Sequence, residues 1–60
     1  MTFKVGDIVT RDGTDRQIVL EVGNYGEIVV KCVKAPKSGW VKVGETESNL
    51  VQRYTKVNSE

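Results

Sequence analysis

Chemistry at a protein surface needs a nucleophile, a base or a metal held beside a substrate, and few of these 60 residues can supply one. There is no histidine and only one cysteine, Cys32, so neither a Cys/His zinc site nor a Cys-His nucleophile pair can be assembled within the chain. An intrachain disulfide is excluded for the same reason. The carboxylates lie in small groups. Asp12 and Asp15 flank Gly13, but the Asp-x-Asp-x-Asp-Gly order of a calcium loop, with its distant Glu, is missing, and both are expected to shape a turn. Glu45 and Glu47 are expected to solvate the start of a short helical turn rather than work as an acid and base pair. Asp7 has no partner group for acid catalysis and is expected to accept hydrogen bonds from turn amides. These observations assign no catalytic, cofactor or metal residue, and the expectation is a protein that is not an enzyme.

Non-covalent chemistry has better candidates. No acid occurs between Ile28 and Gly44, whereas Lys31, Lys34, Lys37 and Lys42 do, with Trp40 among them. Cations interleaved with a stacking aromatic are what single-stranded nucleic-acid binders use. Against that stand a formal charge of only +1 and the ordinary role of strand lysines in keeping edges soluble. Trp40 and Tyr54, with Arg53 beside the latter, would form a peptide groove if they shared an exposed face, and Tyr25 is a further aromatic handle at a hairpin tip. The alternative for Trp40 and Tyr54 is packing over the open end of the fold. A protein partner is the preferred expectation and nucleic acid the alternative. A homo-oligomer joined at a strand edge through Val19, Val29 or Val33 is the third.

The elements that must position these residues are strands. Six glycines cut the chain into short segments. Ile18, Leu20 and Val22 alternate with polar residues, as do Ile28, Val30 and Cys32, and β-branched residues are plentiful. Gly23-Asn24-Tyr25-Gly26 predicts a tight hairpin between strands at Arg16–Val22 and Glu27–Val33. A first strand is expected at Asp7–Thr10 and a loop at Asp12–Asp15. Lys34–Gly39, which contains Pro36, is read as a second loop, followed by a fourth strand at Trp40–Val43. One 3₁₀ turn is expected within Glu45–Leu50, then a short fifth strand in the middle of Val51–Val57. Asn58-Ser59-Glu60 is expected to fray.

At 38% hydrophobic and 28% charged the composition is that of a globular domain, and at 6.7 kDa one core must suffice without disulfide or metal. No stretch approaches the roughly 20 apolar residues of a membrane span, and Met1-Thr2-Phe3-Lys4 lacks the apolar region of a secretory signal, so a cytoplasmic protein without membrane contact is expected. Phe3-Lys4-Val5-Gly6-Asp7-Ile8-Val9 resembles the opening strand of Src-homology-3-like barrels, among them the KOW, Tudor-type and small bacterial YodC-like proteins. Glu47-Ser48-Asn49-Leu50-Val51 is similar to their closing turn. The resemblance covers both ends of the chain. It implies a small, partly open five-stranded barrel over residues 1–57 and a bacterial or phage accessory protein. The expected core is Val5, Ile8, Val9, Ile18, Leu20, Val22, Ile28, Val30, Cys32, Val41, Val43 and Leu50, with Phe3 and Trp40 over its ends.

Overall fold

The computed structural model describes residues 3–57, so the expected fraying of Asn58–Glu60 lies outside the described residues. Strands β1 (Ile8–Thr10), β2 (Arg16–Val22), β3 (Glu27–Lys34), β4 (Thr46–Leu50) and β5 (Thr55–Lys56) form one antiparallel sheet in the order β4-β3-β2-β1-β5. A 3₁₀ turn at Val51–Arg53 precedes the last strand. The protein is therefore all-β, with β4 and β5 as free edges of a sheet that does not close. Among the described residues no helix is long and apolar enough to cross a membrane.

The β2–β3 hairpin forms where the glycines predict it. Gly26 takes a left-handed φ of 81°, and the Gly23 amide donates to the Glu27 carbonyl at 2.8 Å, closing the turn. At the opening, Gly6 bends the chain with φ 95°, and the Asp7 carboxylate accepts the Lys4 amide at 2.8 Å, as expected of it.

The inner face differs from its expected composition because β2 carries a bulge. Ile18 lies opposite Lys31 and Val19 opposite Val30, but Glu21, not Leu20, lies opposite Val29. The extra residue shifts the alternation by one. Gln17 and Val19 consequently face inward and are fully buried, whereas Leu20 is exposed and Ile18 is half-buried on the outer face with its partner Ile8. Val5, Val22, Val43 and Leu50 are also exposed rather than core. Val22 has the inward register, opposite Ile28, but stands at the end of the sheet. Phe3, Val9, Val19, Ile28, Val30 and Tyr54 form the core cluster, with Val51 packed against it; Cys32 and Val41 are buried as expected.

The fourth strand is not Trp40–Val43. That segment lies between Gly39 and Gly44, both with positive φ, and is folded into turns. The Glu45 amide donates to the Lys42 carbonyl, while the Glu45 side chain accepts the Lys42 amide. The polar run Thr46–Leu50 pairs with β3 instead, and the 3₁₀ turn moves on to Val51–Arg53. A long central strand needs a backbone partner along its whole length, and an edge strand facing water on one side needs few apolar residues to provide it. Glu47 and Asn49 take the inward positions and the other three residues of β4 the exposed ones.

Candidate binding surface

The loop between β1 and β2 is organised by a buried carboxylate. Asp15 accepts hydrogen bonds from the Thr10 hydroxyl at 2.5 Å, the Gln17 amide group at 2.7 Å, and the backbone amides of Arg11 and Asp12 at 3.0 and 3.2 Å. Thr10 in turn accepts the Gly13 amide at 2.9 Å. Burial works against ionisation of Asp15, but the donors from Thr10, Gln17, Asp12 and Arg11 outweigh it and hold the carboxyl below its ordinary range. Gln17 is buried at a core position because its side chain completes this shell.

Outside this hub Asp12 points to the surface. Its Oδ1 accepts the Thr14 amide and hydroxyl, each at 2.8 Å, and its Oδ2 accepts the Trp40 indole N–H at 3.0 Å. The Trp40 donor, followed by the Thr14 donors, holds the Asp12 carboxyl far below its usual range. The Thr14 hydroxyl also accepts the Lys37 amide at 3.0 Å, so the β3–β4 loop is tied to the β1–β2 loop at two points.

Arg11 completes the surface. Its guanidinium lies 4.8 Å from the centre of the Trp40 ring, and its Nη1 reaches Glu47 at 3.3 Å. The stack contributes about 0.5–1 kcal/mol at such an exposed site and the ion pair no more than about 1 kcal/mol; the stack and the Asp12 bond hold the indole directly, and the ion pair acts on it only through Arg11. Glu47 also accepts the Tyr54 hydroxyl at 3.0 Å. Burial and this bond to a carboxylate push the Tyr54 phenol well above its ordinary value, keeping it a donor. Arg11, Asp12 and Trp40 line an open depression of about 420 Å³.

The residues singled out in the sequence divide accordingly. Trp40 lies at the surface with 41% of its area exposed, whereas Tyr54 is buried in the core and is linked to Trp40 through Glu47 and Arg11. The two rings therefore do not form an open aromatic groove side by side. Arg53 is exposed on the 3₁₀ turn. Tyr25, 88% exposed, is at the opposite end of β2. Among the lysines, Lys37 is exposed with only its backbone amide bound by Thr14, and Lys42 is in the turn after Val41. Lys31 shares the outward register with Ile18 and Thr46, away from Glu47, and Lys34 is exposed at the end of β3. Among the described residues none of the four lysines makes an ion pair.

In the sequence Asp12 is weighed only as a turn former and Glu47 only as a carboxylate at a helical turn, which its place in β4 overturns, and Arg11 is not singled out. The Thr10…Asp15 spacing around Asp-Gly is a local signal that a carboxylate could organise the loop, but nothing local links Arg11 to a residue 36 positions away. Cys32 is buried, its thiol donates to the Lys34 carbonyl at 3.4 Å, and burial raises its pKa above the ordinary value. Comparison of the chain with family models, with curated proteins and with solved structures gives no match.

Proposed function

We propose that this protein is a non-catalytic binding module that takes a segment of another protein at the surface formed by Trp40, Arg11 and Asp12. The observation that carries this reading is the state of Trp40, which is exposed over 41% of its area yet held at its edge by Asp12 and over its face by Arg11. A tryptophan fixed before binding loses little entropy when a partner arrives. Covering what remains exposed, on the order of 100 Å² of a large aromatic, is worth roughly 2.5 kcal/mol. Trp and Arg side by side are also the residue types that dominate binding energy at protein interfaces. The buried, high-pKa Cys32 thiol supports the non-catalytic part, because a thiol in that state is a poor nucleophile.

Protein is favoured over nucleic acid because Arg11 already occupies one face of the indole and Lys31 faces away from it. The alternative rests on Lys34, Lys37 and Lys42, which are exposed and make no ion pair among the described residues. A selection from a displayed random-peptide library, followed by NMR titration with the selected peptides, tests the proposal. The expected result is movement of the Trp40 indole N–H and the Arg11 and Asp12 amides, with binding lost in Trp40→Ala and kept in Tyr25→Ala. Failure to select any peptide, together with salt-sensitive shifts at Lys37, Lys42 and Trp40 on adding mixed-sequence oligonucleotides, would replace it with the nucleic-acid reading.

A further inference from the structure

The two free edges of the sheet are not alike. β5 offers two residues, one of them Lys56, and shortness and lysine are both ordinary defences of an edge. β4 is five residues long and has no Pro, Lys or bulge against its neighbour. Its one charged residue, Glu47, points to the inner face, where a charge defends an edge if a partner strand would bury it unpaired; here Arg11 and Tyr54 already hold it.

The hydrogen-bond phase of β4 follows from its flanks. The Cys32 amide donates to the Glu45 carbonyl at 2.8 Å and the Val51 amide to the Gly26 carbonyl at 2.7 Å. The Glu45 carbonyl and the Val51 amide thus point toward the β2–β3 hairpin, and by alternation the backbone groups of Glu47 and Asn49 do the same. Thr46, Ser48 and Leu50 then present their N–H and C=O groups to the open side. Among the described residues the Leu50 amide alone of these donors has a partner, the Asn49 side-chain oxygen at 2.9 Å, as an outward-facing amide would need.

We propose that β4 is a self-association edge, on which a second copy of this chain pairs antiparallel about a two-fold axis through Ser48. In that register Ser48 lies opposite the second copy's Ser48, Thr46 opposite its Leu50, and Glu47 opposite its Asn49. All five residues pair and no like charges are directly opposed. A two-fold axis at Glu47 would set two glutamates against each other, and one at Asn49 would run off the end of the strand. The Thr46 carbonyl of the second copy takes over the Leu50 amide, releasing Asn49, whose amide group is then free to face Glu47. Leu50, exposed in the single chain, gains cover from Thr46 and Lys31 on the outer face of the other copy. An arriving peptide would find the same backbone groups but not this self-matching order of side chains. The pairing rests on the backbone of β4 rather than on Trp40, and joins two Trp40 surfaces on the inner side of one continuous sheet, with Glu47, the partner of Arg11, common to both features.

Sedimentation of the full chain from about 10 μM to about 1 mM tests it. The mass is expected to rise from 6.7 kDa toward twice that value. Ser48→Lys, which places two ammonium groups at the axis on an exposed side chain, is expected to weaken the dimer at least about tenfold with an unchanged amide spectrum. Paired residues of this type have Cα atoms about 5.5 Å apart, within disulfide reach, so Ser48→Cys is expected to cross-link across the axis under mild oxidation. Glu47→Cys, placed diagonally at roughly 7–8 Å, is not. A mass of one chain throughout the range, or a dimer that Ser48→Lys leaves intact, would overturn the proposal. So would cross-linking by Glu47→Cys in place of Ser48→Cys. The Ser48 variants lie on the outer face, whereas Glu47→Cys also removes the partner of Arg11, so peptide binding at Trp40 is read in the Ser48 variants alone.

Discussion

The two ends of β2 are both turns, but they are held by different physics. At its start, the loop from Arg11 to Asp15 is wrapped around a buried carboxylate and tied by side chains to residues more than twenty positions away: Trp40, Lys37 and Glu47. At its end, the Gly23–Gly26 turn is closed by its own backbone, and the long-range tie there is the Val51 amide on the Gly26 carbonyl. Tyr25 projects from it almost fully exposed, its amide only 3.4 Å from the Glu27 carboxylate. An exposed aromatic is therefore not by itself a site. Trp40 is fixed by groups that have little other reason to meet, whereas Tyr25 is held by nothing beyond its own turn.

The contrast is broken most severely at Asp15. Asp15→Ala leaves the Thr10 hydroxyl, the Gln17 amide and two backbone amides without their acceptor, and is expected to cost about 3 kcal/mol in urea unfolding. The Trp40 indole signal should shift in the same variant. A loss within about 0.5 kcal/mol would mean that the hub does not organise the loop.

Protonating the same carboxylate acts in the same direction. The folded pKa values of Asp15 and Asp12 lie below the ordinary 3.8, so the unfolded chain binds protons first as the pH falls. Their contribution is fully present above that value and is lost as the pH drops through the folded values. Tyr54 runs the opposite way: its folded pKa is raised above 10.0, so its contribution is complete below pH 10.0 and is lost as the pH rises beyond it. Thermal unfolding against pH is expected to decline on both flanks, and Asp15→Asn should flatten the acid one.

At the other end of β2 the effects are smaller. Gly26→Ala forces a side chain into a φ of 81° and is expected to cost about 1 kcal/mol, although open space surrounds the position. Tyr25→Ala should change stability by less than about 0.5 kcal/mol, since the ring is exposed. A larger loss would show the hairpin tip to be packed more firmly than its exposure implies.

What could be read from the sequence follows the same division. The hairpin was legible because its determinants, two glycines between alternating apolar runs, are local. The strand count and the Asp12–Asp15 turn were legible for the same reason. The phase of β2 was not, because the bulge at Leu20 exchanges inner and outer residues without any mark in composition. Nor was β4, since Thr46–Leu50 owes its strand state to the unpaired backbone of β3 rather than to its own propensity. Of the site, Trp40 was visible as an aromatic among lysines. The grouping of Arg11, Asp12 and Glu47 around it was not visible, because it depends on contacts across the fold, and Tyr54 proved to be a core residue that braces Glu47 from below.

That the Trp40 surface is assembled in the free protein follows from the Arg11 and Asp12 contacts. It is tested most directly by ¹⁵N relaxation of the Trp40 indole N–H in the free protein, with the Tyr25 amide as internal comparison. A preassembled surface gives an order parameter near the rigid value of about 0.85 at Trp40 and a lower one at Tyr25, with Asp12→Ala loosening the first and leaving the second unchanged. An indole order parameter below about 0.6 in the unaltered protein, or one indifferent to Asp12→Ala, would contradict it.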